Sequence, residues 1–318
     1  MWWFAVLVAL PVLALLLLRP VGPGRFPSRP DPARDYDEAL RRVAAAGARD
    51  GAGVSPEGRT RLLTHGRRTA RAVVLLHGLT NCPEQFRLLG ERLHERGANV
   101  YLPRMLGHGL TDRMDPGQAR LDASWLCRAT DEAVDIARGL GEEVVVAGLS
   151  VGGTMAAWAA QQRADVARAV AIAPLLGLAA APGPLTRPAM NLLLALPNLF
   201  VWWDIRVRAD LPGPGHVYPR FSTRAVAQTL RLAAGIEADA RRAAPAAGTM
   251  ALVTAGDDAA TDNGAADRLA RRWRAHGARV VTRHFPARLG LQHDIVDPGQ
   301  VGADPALVYP VLLDLIAP

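Results

Sequence analysis

The chain has 318 residues, half of them apolar and 21% charged, with Gly and Pro too few for a low-complexity or disordered chain, so it has the means to bury a substantial core as one large domain or two ordinary ones. Two cysteines exclude a disulfide-built scaffold and a four-thiolate zinc site. The formal charge of +7 is carried by arginine alone, since the chain has no lysine; its Arg pairs are scattered and no stacking aromatics alternate with them, which argues against a nucleic-acid partner.

The chain opens on an uninterrupted apolar run, Trp2 to Leu18, ended by Arg19. As a helix these 17 residues would cover about 25 Å, the short end of what crosses a bilayer core. No basic residue precedes the run and no small-x-small cleavage site follows it, so the expectation over a cleaved export signal is an uncleaved anchor at 1–19. Arg19, Arg25, Arg29 and Arg34 follow the run, and this bias places whatever comes next on the cytoplasmic side. A Pro/Gly/Arg segment to Asp35 and a short helix at Tyr36–Ala48 then make up a linker region, 20–58.

From residue 59 the punctuation becomes regular. Strands are predicted at Arg59–Thr64, Arg71–Leu76, Asn99–Leu102, Glu143–Ala147 and Ala169–Ala173, with helices at Pro83–Arg96, Ala123–Arg138 and Val151–Gln162. The alternation pauses at Pro174 and resumes near Thr249 with a strand at Met250–Thr254, a helix at Ala265–His276, a strand at Arg279–His284 and a helix at Pro305–Ile316. Most of the strands are continuous apolar runs, which predicts an α/β fold with a mostly parallel sheet covered by helices on both faces. Residues 175–245, with a leucine-rich stretch, the aromatic cluster Phe200–Trp203 and a helix at Thr223–Arg231, form an insertion within a domain of 59–318.

The chemistry concentrates at Gly148-Leu149-Ser150-Val151-Gly152, reached by an apolar strand and left by a helix. A serine exposed at so tight a turn needs neighbours without Cβ two positions away on each side, so that the backbone can pass closely. A serine hydroxyl is a poor nucleophile unless a histidine takes its proton and a carboxylate orients the histidine. Of eight histidines, His293 stands in the loop between the last strand and the last helix, with His284 as the next choice. The carboxylate is expected in Ala255-Gly256-Asp257-Asp258-Ala259-Ala260-Thr261-Asp262-Asn263, where Asp262 is a natural helix cap and Asp257 and Asp258 compete for the role.

The set of strand-His-Gly loop, G-x-S-x-G turn, late Asp and later His resembles the α/β-hydrolase fold, and within it the monoglyceride-lipase, lysophospholipase and bacterial-carboxylesterase branch, from about Arg59 to the C-terminus. Leu75-Leu76-His77-Gly78-Leu79-Thr80 is similar to the branch's oxyanion loop, and Leu102-Pro103-Arg104-Met105-Leu106-Gly107-His108-Gly109 to its P-x-x-x-G-H-G segment. Asp258-Ala259-Ala260-Thr261-Asp262-Asn263 resembles its acid loop, with Thr261 where valine is usual, and His293-Asp294-Ile295-Val296-Asp297-Pro298 its histidine segment. The resemblance implies Ser150, Asp258 and His293 as a catalytic triad, the backbone N–H groups of Leu79 and Val151 as oxyanion donors, 175–245 as a cap, and His77 and His108 as holders of loops. It implies a carboxylic ester, acyl or lipid-like, as substrate, with a thioesterase, acyltransferase, peptidase or non-catalytic binding protein as alternatives. No metal or cofactor is expected, for want of a zinc-like cluster or a phosphate loop, and Cys82 and Cys127 are expected to be free thiols.

Overall fold

The computed structural model describes residues 3, 7–12, 24–203 and 213–318. Most of the expected anchor, and residues 204–212 of the insertion, lie outside them. Among the described residues no helix is long and apolar enough to cross a membrane.

A seven-stranded sheet organises the chain, in the order β1-β3-β2-β4-β5-β8-β9. Its strands are β1 (Arg61–Leu63), β2 (Thr69–Leu76), β3 (Asn99–Leu102), β4 (Gly141–Leu149), β5 (Val166–Ile172), β8 (Thr249–Ala255) and β9 (Val280–Phe285). Only the edge strand β1 runs antiparallel, against β3; every other pair is parallel. The mostly parallel sheet expected from the apolar runs is therefore present, for the reason given: both faces are covered. Val74, Leu76, Val144 and Val146 face one core with Met155 and Trp158, while the alternate residues Val73, Leu75, Val145 and Ala147 face the other with Phe86, Leu89 and Leu312.

The connections supply the covering helices: α1 (Tyr36–Ala48), α2 (Arg87–Glu95), α3 (Ala123–Leu140), α4 (Val151–Gln162), α7 (Asn263–Ala275) and α8 (Pro305–Ile316). Side-chain caps fix several of their starts, with Asp122 accepting from the Trp125 N–H, Asp262 from Gly264 and Asp304 from Leu307. Within the insertion, α5 (Thr186–Ala195) is followed by a two-stranded ribbon, β6 (Phe200–Trp202) against β7 (Arg220–Ser222), and then by α6 (Thr223–Ala240). The sequence suggests only half of α6. The helix continues because its inner face, Val226, Leu230, Leu232 and Ile236, joins the core that contains Trp158.

The Pro/Gly/Arg segment is extended, as its composition requires, yet from Gly24 onward it is seated on the domain. Trp158 Nε1 donates to the Phe26 carbonyl at 2.7 Å, and the N–H groups of Arg29 and Asp31 donate to Asp131 and Asp135 at 2.9 Å each. Those two carboxylates also take the buried guanidinium of Arg163 at 2.8 and 2.6 Å, and Asp165 takes it at 2.8 Å. An arginine so enclosed keeps its charge because three carboxylates surround it.

Candidate active site

Ser150 stands between the end of β4 and the start of α4 with φ 58° and ψ −112°, a left-handed backbone that a residue with a Cβ adopts only under strain. The crowding that forces this shape is local. A Cβ on Gly152 would lie 1.9 Å from the Leu76 carbonyl oxygen, and one on Gly148 would lie 2.3 Å from the Gly152 carbonyl oxygen. Hydrogen bonds hold the turn: the Ser150 N–H donates to Ile172 O at 2.9 Å, and the Ser150 carbonyl accepts from Thr154 and Leu175 N–H at 2.9 and 3.1 Å. The result presents the hydroxyl at the head of α4.

His293 and Asp258 meet across 35 residues of sequence, with Nδ1 of the imidazole 2.9 Å from the carboxylate Oδ2. Asp258 also accepts from the Ala260 and Thr261 N–H groups at 2.8 and 3.1 Å and from the Thr261 hydroxyl at 2.6 Å. Burial pushes its carboxyl up, but the bonds from His293, Thr261 and Ala260 outweigh this and hold it below the usual carboxylate range. Asp257 is exposed, and Asp262 caps α7, so of the three aspartates Asp258 alone takes the histidine. His284 lies on β9 with Nδ1 2.9 Å from Thr254 Oγ1, away from the pair. Among the described residues the Ser150 hydroxyl makes no hydrogen bond, so the direct link in this group is that between His293 and Asp258.

The loop after β2 closes the other side. A Cβ on Gly78 would lie 3.6 Å from Ser150 Cβ, which places this loop beside the serine. Among the described residues neither the Leu79 nor the Val151 N–H is taken by an acceptor. His77 accepts from the Met105 N–H through Nε2 at 3.0 Å and bonds the Gly78 carbonyl through Nδ1 at 2.8 Å. His108 turns Nε2 to the Leu79 carbonyl and Nδ1 to the Leu106 carbonyl. Burial, with His108 as neighbour, drives His77 well below the ordinary imidazole range, and burial lowers His108 to about 4. His77, accepting at one nitrogen and donating at the other, ties the loop after β2 to the loop after β3, and His108 stands between carbonyls of the same two loops.

Sequence reasoning missed a second group around the same loops. Gln85 accepts the Gly78 N–H at 2.7 Å and donates to Asp294 at 2.7 Å, so one buried amide joins the loop beside Ser150 to the residue after His293. Asn81 donates to Asp294 at 3.2 Å. Asp297 is paired with His216 of the insertion at 2.9 Å, and the Tyr218 N–H donates to Thr80 O at 2.7 Å, fastening the insertion to both loops. No spacing signal marks such residues, because amides and carboxylates in loops most often serve turns. Cys82 and Cys127 are free and buried, and burial raises the Cys82 thiol to about 12, far from reactive.

A strained serine between a parallel strand and a helix, a distant His–Asp pair and a His-Gly loop beside the serine are features of one fold family, and a model of the alpha/beta hydrolase family matches residues 73–296. The chain belongs to the alpha/beta hydrolase family. A thermostable monoacylglycerol lipase from Bacillus sp. (strain H-257) is 32% identical to it over 100 residues, 31% of this chain. The match spans 39% of that lipase. Two solved structures share the fold over 81% of this hydrolase chain at 17% identity: the monoacylglycerol lipase of Paleococcus ferrophilus, covered over 98% with a TM-score of 0.61, and a soluble variant of the monoglyceride lipase of Saccharomyces cerevisiae in complex with a substrate analogue, covered over 91% with a TM-score of 0.60. At such identities the likeness is one of fold.

Proposed function

We propose that this hydrolase cleaves carboxylic esters of acyl or lipid-like character through an acyl-enzyme on Ser150, from a domain tethered to the membrane by residues 1–19. The observation that carries the reading is the His293–Asp258 bond, which occurs in the same molecule as a serine held at φ 58° at the head of a helix. In this reading Ser150 Oγ attacks the ester carbonyl carbon and its proton passes to His293 Nε2. Asp258 keeps Nδ1 protonated and stabilises the imidazolium that forms. The carbonyl oxygen, now negative, accepts from the free N–H groups of Leu79 and Val151, each such donor supplying about 2.7–4 kcal/mol of transition-state stabilisation. Collapse of the adduct expels the alcohol, protonated by His293. Water, activated by the same imidazole, then releases the carboxylate and restores Ser150. The open Ser150 hydroxyl is compatible with this sequence, since catalytic hydrogen bonds tighten when substrate fills the site.

Apolar substrates are favoured by the insertion, which exposes Leu192, Leu196, Leu199 and Trp203, and by the lipase named among the relatives. The test is a series of p-nitrophenyl esters of increasing acyl length, run on the wild type and Ser150→Ala. Turnover that rises beyond acetate and disappears in the variant is expected; no turnover of any ester by folded protein, or turnover unchanged in Ser150→Ala, contradicts the reading.

A further inference from the structure

A cavity of about 640 Å³ lies between α5, α6 and α7, and among the described residues its lining includes none of Ser150, Asp258, His293, Leu79 or Val151. Its floor is apolar, with Leu176, Met190, Leu230 and Leu269, and the small Ala234 and Ala265 leave the space open. Its walls are cationic. Arg187 comes from α5, Arg241 and Arg242 from the end of α6, and Arg268 and Arg272 from successive turns of α7.

The carboxylates nearby do not balance these guanidinium groups. Asp262 takes Arg268 at 3.0 Å, and Glu237 is shared between Arg272 and Arg241. Asp239 stands 3.9 Å from Arg242 while its other oxygen accepts from Gln162 at 2.9 Å. Arg187 has no carboxylate partner among the described residues. Three carboxylates therefore face five permanent positive charges over an apolar floor. Like charges one turn apart on a helix repel, so Arg268 and Arg272 gain from an anion placed between them. An apolar slot with a cationic mouth suits an amphiphile whose head is a phosphate, which planar guanidinium groups bind through paired hydrogen bonds.

The course of the chain says where that amphiphile comes from. Gly24 lies against α6: its carbonyl oxygen is 2.9 Å from the position a Cβ on Gly235 would take. Gly235 shares its turns of α6 with the cavity-lining Ala234, Glu237 and Ala238. Gly24 is five residues on from Arg19, a reach of no more than about 18 Å, so a span that ends at Arg19 holds α6 within about two helix diameters of the lipid heads. On the flank of the cavity formed by the insertion, Leu185 (58% exposed), Leu192 and Leu196 are open to contact with the acyl boundary.

We infer that this cavity is a binding site for the phosphate head of an anionic phospholipid, which seats α5 and α6 against the membrane surface. The inference rests on the tether proposed above for its location, and on the five arginines for its chemistry. The experiment uses the full chain in a neutral detergent, titrated with phosphatidylglycerol, with phosphatidylcholine of the same acyl chains, and with inorganic phosphate, and read by native mass spectrometry. One phosphatidylglycerol retained in preference to phosphatidylcholine is expected, with at least tenfold weaker retention in Arg187→Gln/Arg242→Gln. That pair makes no close ion pair in the fold, so its melting temperature without lipid should match the wild type. Equal retention of the two lipids, or undiminished phosphatidylglycerol binding by the variant, overturns the inference. Inorganic phosphate binding as tightly as phosphatidylglycerol overturns the lipid as its source. Alkaline carbonate extraction of cell membranes reads the tether by itself: release of the chain removes the tether and leaves the detergent titration to decide the cavity.

Discussion

Adjacent in one loop, Asp257 is exposed to solvent while Asp258 is buried and holds His293. Asp258 could be preferred over Asp257 only through a family pattern, since adjacent aspartates in a loop are equivalent until the backbone turns one of them inward. Here the turn closed by Ala260 and Thr261 N–H groups aims Asp258 at His293. Asp258→Asn should therefore lower kcat on short esters by several orders of magnitude, and Asp257→Asn by less than about tenfold; the reverse ranking would move the acid to Asp257. Because its folded carboxyl lies below the unfolded value of about 3.9, Asp258 contributes stability that is present above that value and lost as pH falls through its folded one. Urea midpoints measured from pH 7 down to pH 3 should fall more steeply for the wild type than for Asp258→Asn, and parallel curves would show that the carboxylate adds nothing to stability. Gln85 carries no motif at all. Gln85→Ala leaves the Gly78 N–H without a partner and Asp294 Oδ2 with Asn81 alone, a loss of about 1–3 kcal/mol by chemical denaturation. A positioning role also requires kcat to fall with little change in KM; unchanged kcat would leave Gln85 as a fastening of the fold alone.

At the scale of elements, the central strands and the helix after Ser150 were legible because their residues are apolar at every position or at helical spacing. The insertion was less so. Met190 to Leu196 reads as a leucine-rich stretch with Pro188 before it, and the structure makes it the second half of α5; β6 and β7 are three residues each, too short for a periodicity. The length of α6 was hidden by its alanines and glycine, which say little about burial until Phe26 and Trp158 are brought beside them. The segment from Gly24 to Asp35 reads as a tether by composition, and its seating depends on Asp131, Asp135 and Arg163, three charged residues that a sequence assigns to a solvated face. Arg163→Ala strands two buried carboxylates and should destabilise the domain by about 3–5 kcal/mol in urea unfolding. A change under about 1 kcal/mol would mean that the cluster is solvated in solution.

For the molecule as a whole, a rigid sheet carries Ser150, Asp258 and His293 on three of its connections, and the insertion expected as a cap, 175–245, is tied to the loops beside them through Tyr218 and His216. That separation predicts a division of labour. Deleting or rigidifying the insertion should change the preference among acyl lengths more than the turnover of acetate esters, and equal loss on acetate and long-chain esters would contradict it. The arginines that follow the apolar run predict a cytoplasmic domain, so alkaline phosphatase fused to the C-terminus should be inactive in cells; strong phosphatase activity would place the domain outside. In the proposed mechanism Ser150 is a nucleophile activated by His293. Intact-mass and peptide analysis after brief exposure to a fluorophosphonate tests it most directly. A single adduct on Ser150 is expected, absent in Ser150→Ala and slowed at least a hundredfold in His293→Ala; folded protein that stays unlabelled, or an adduct on another residue, would overturn the proposed role of Ser150.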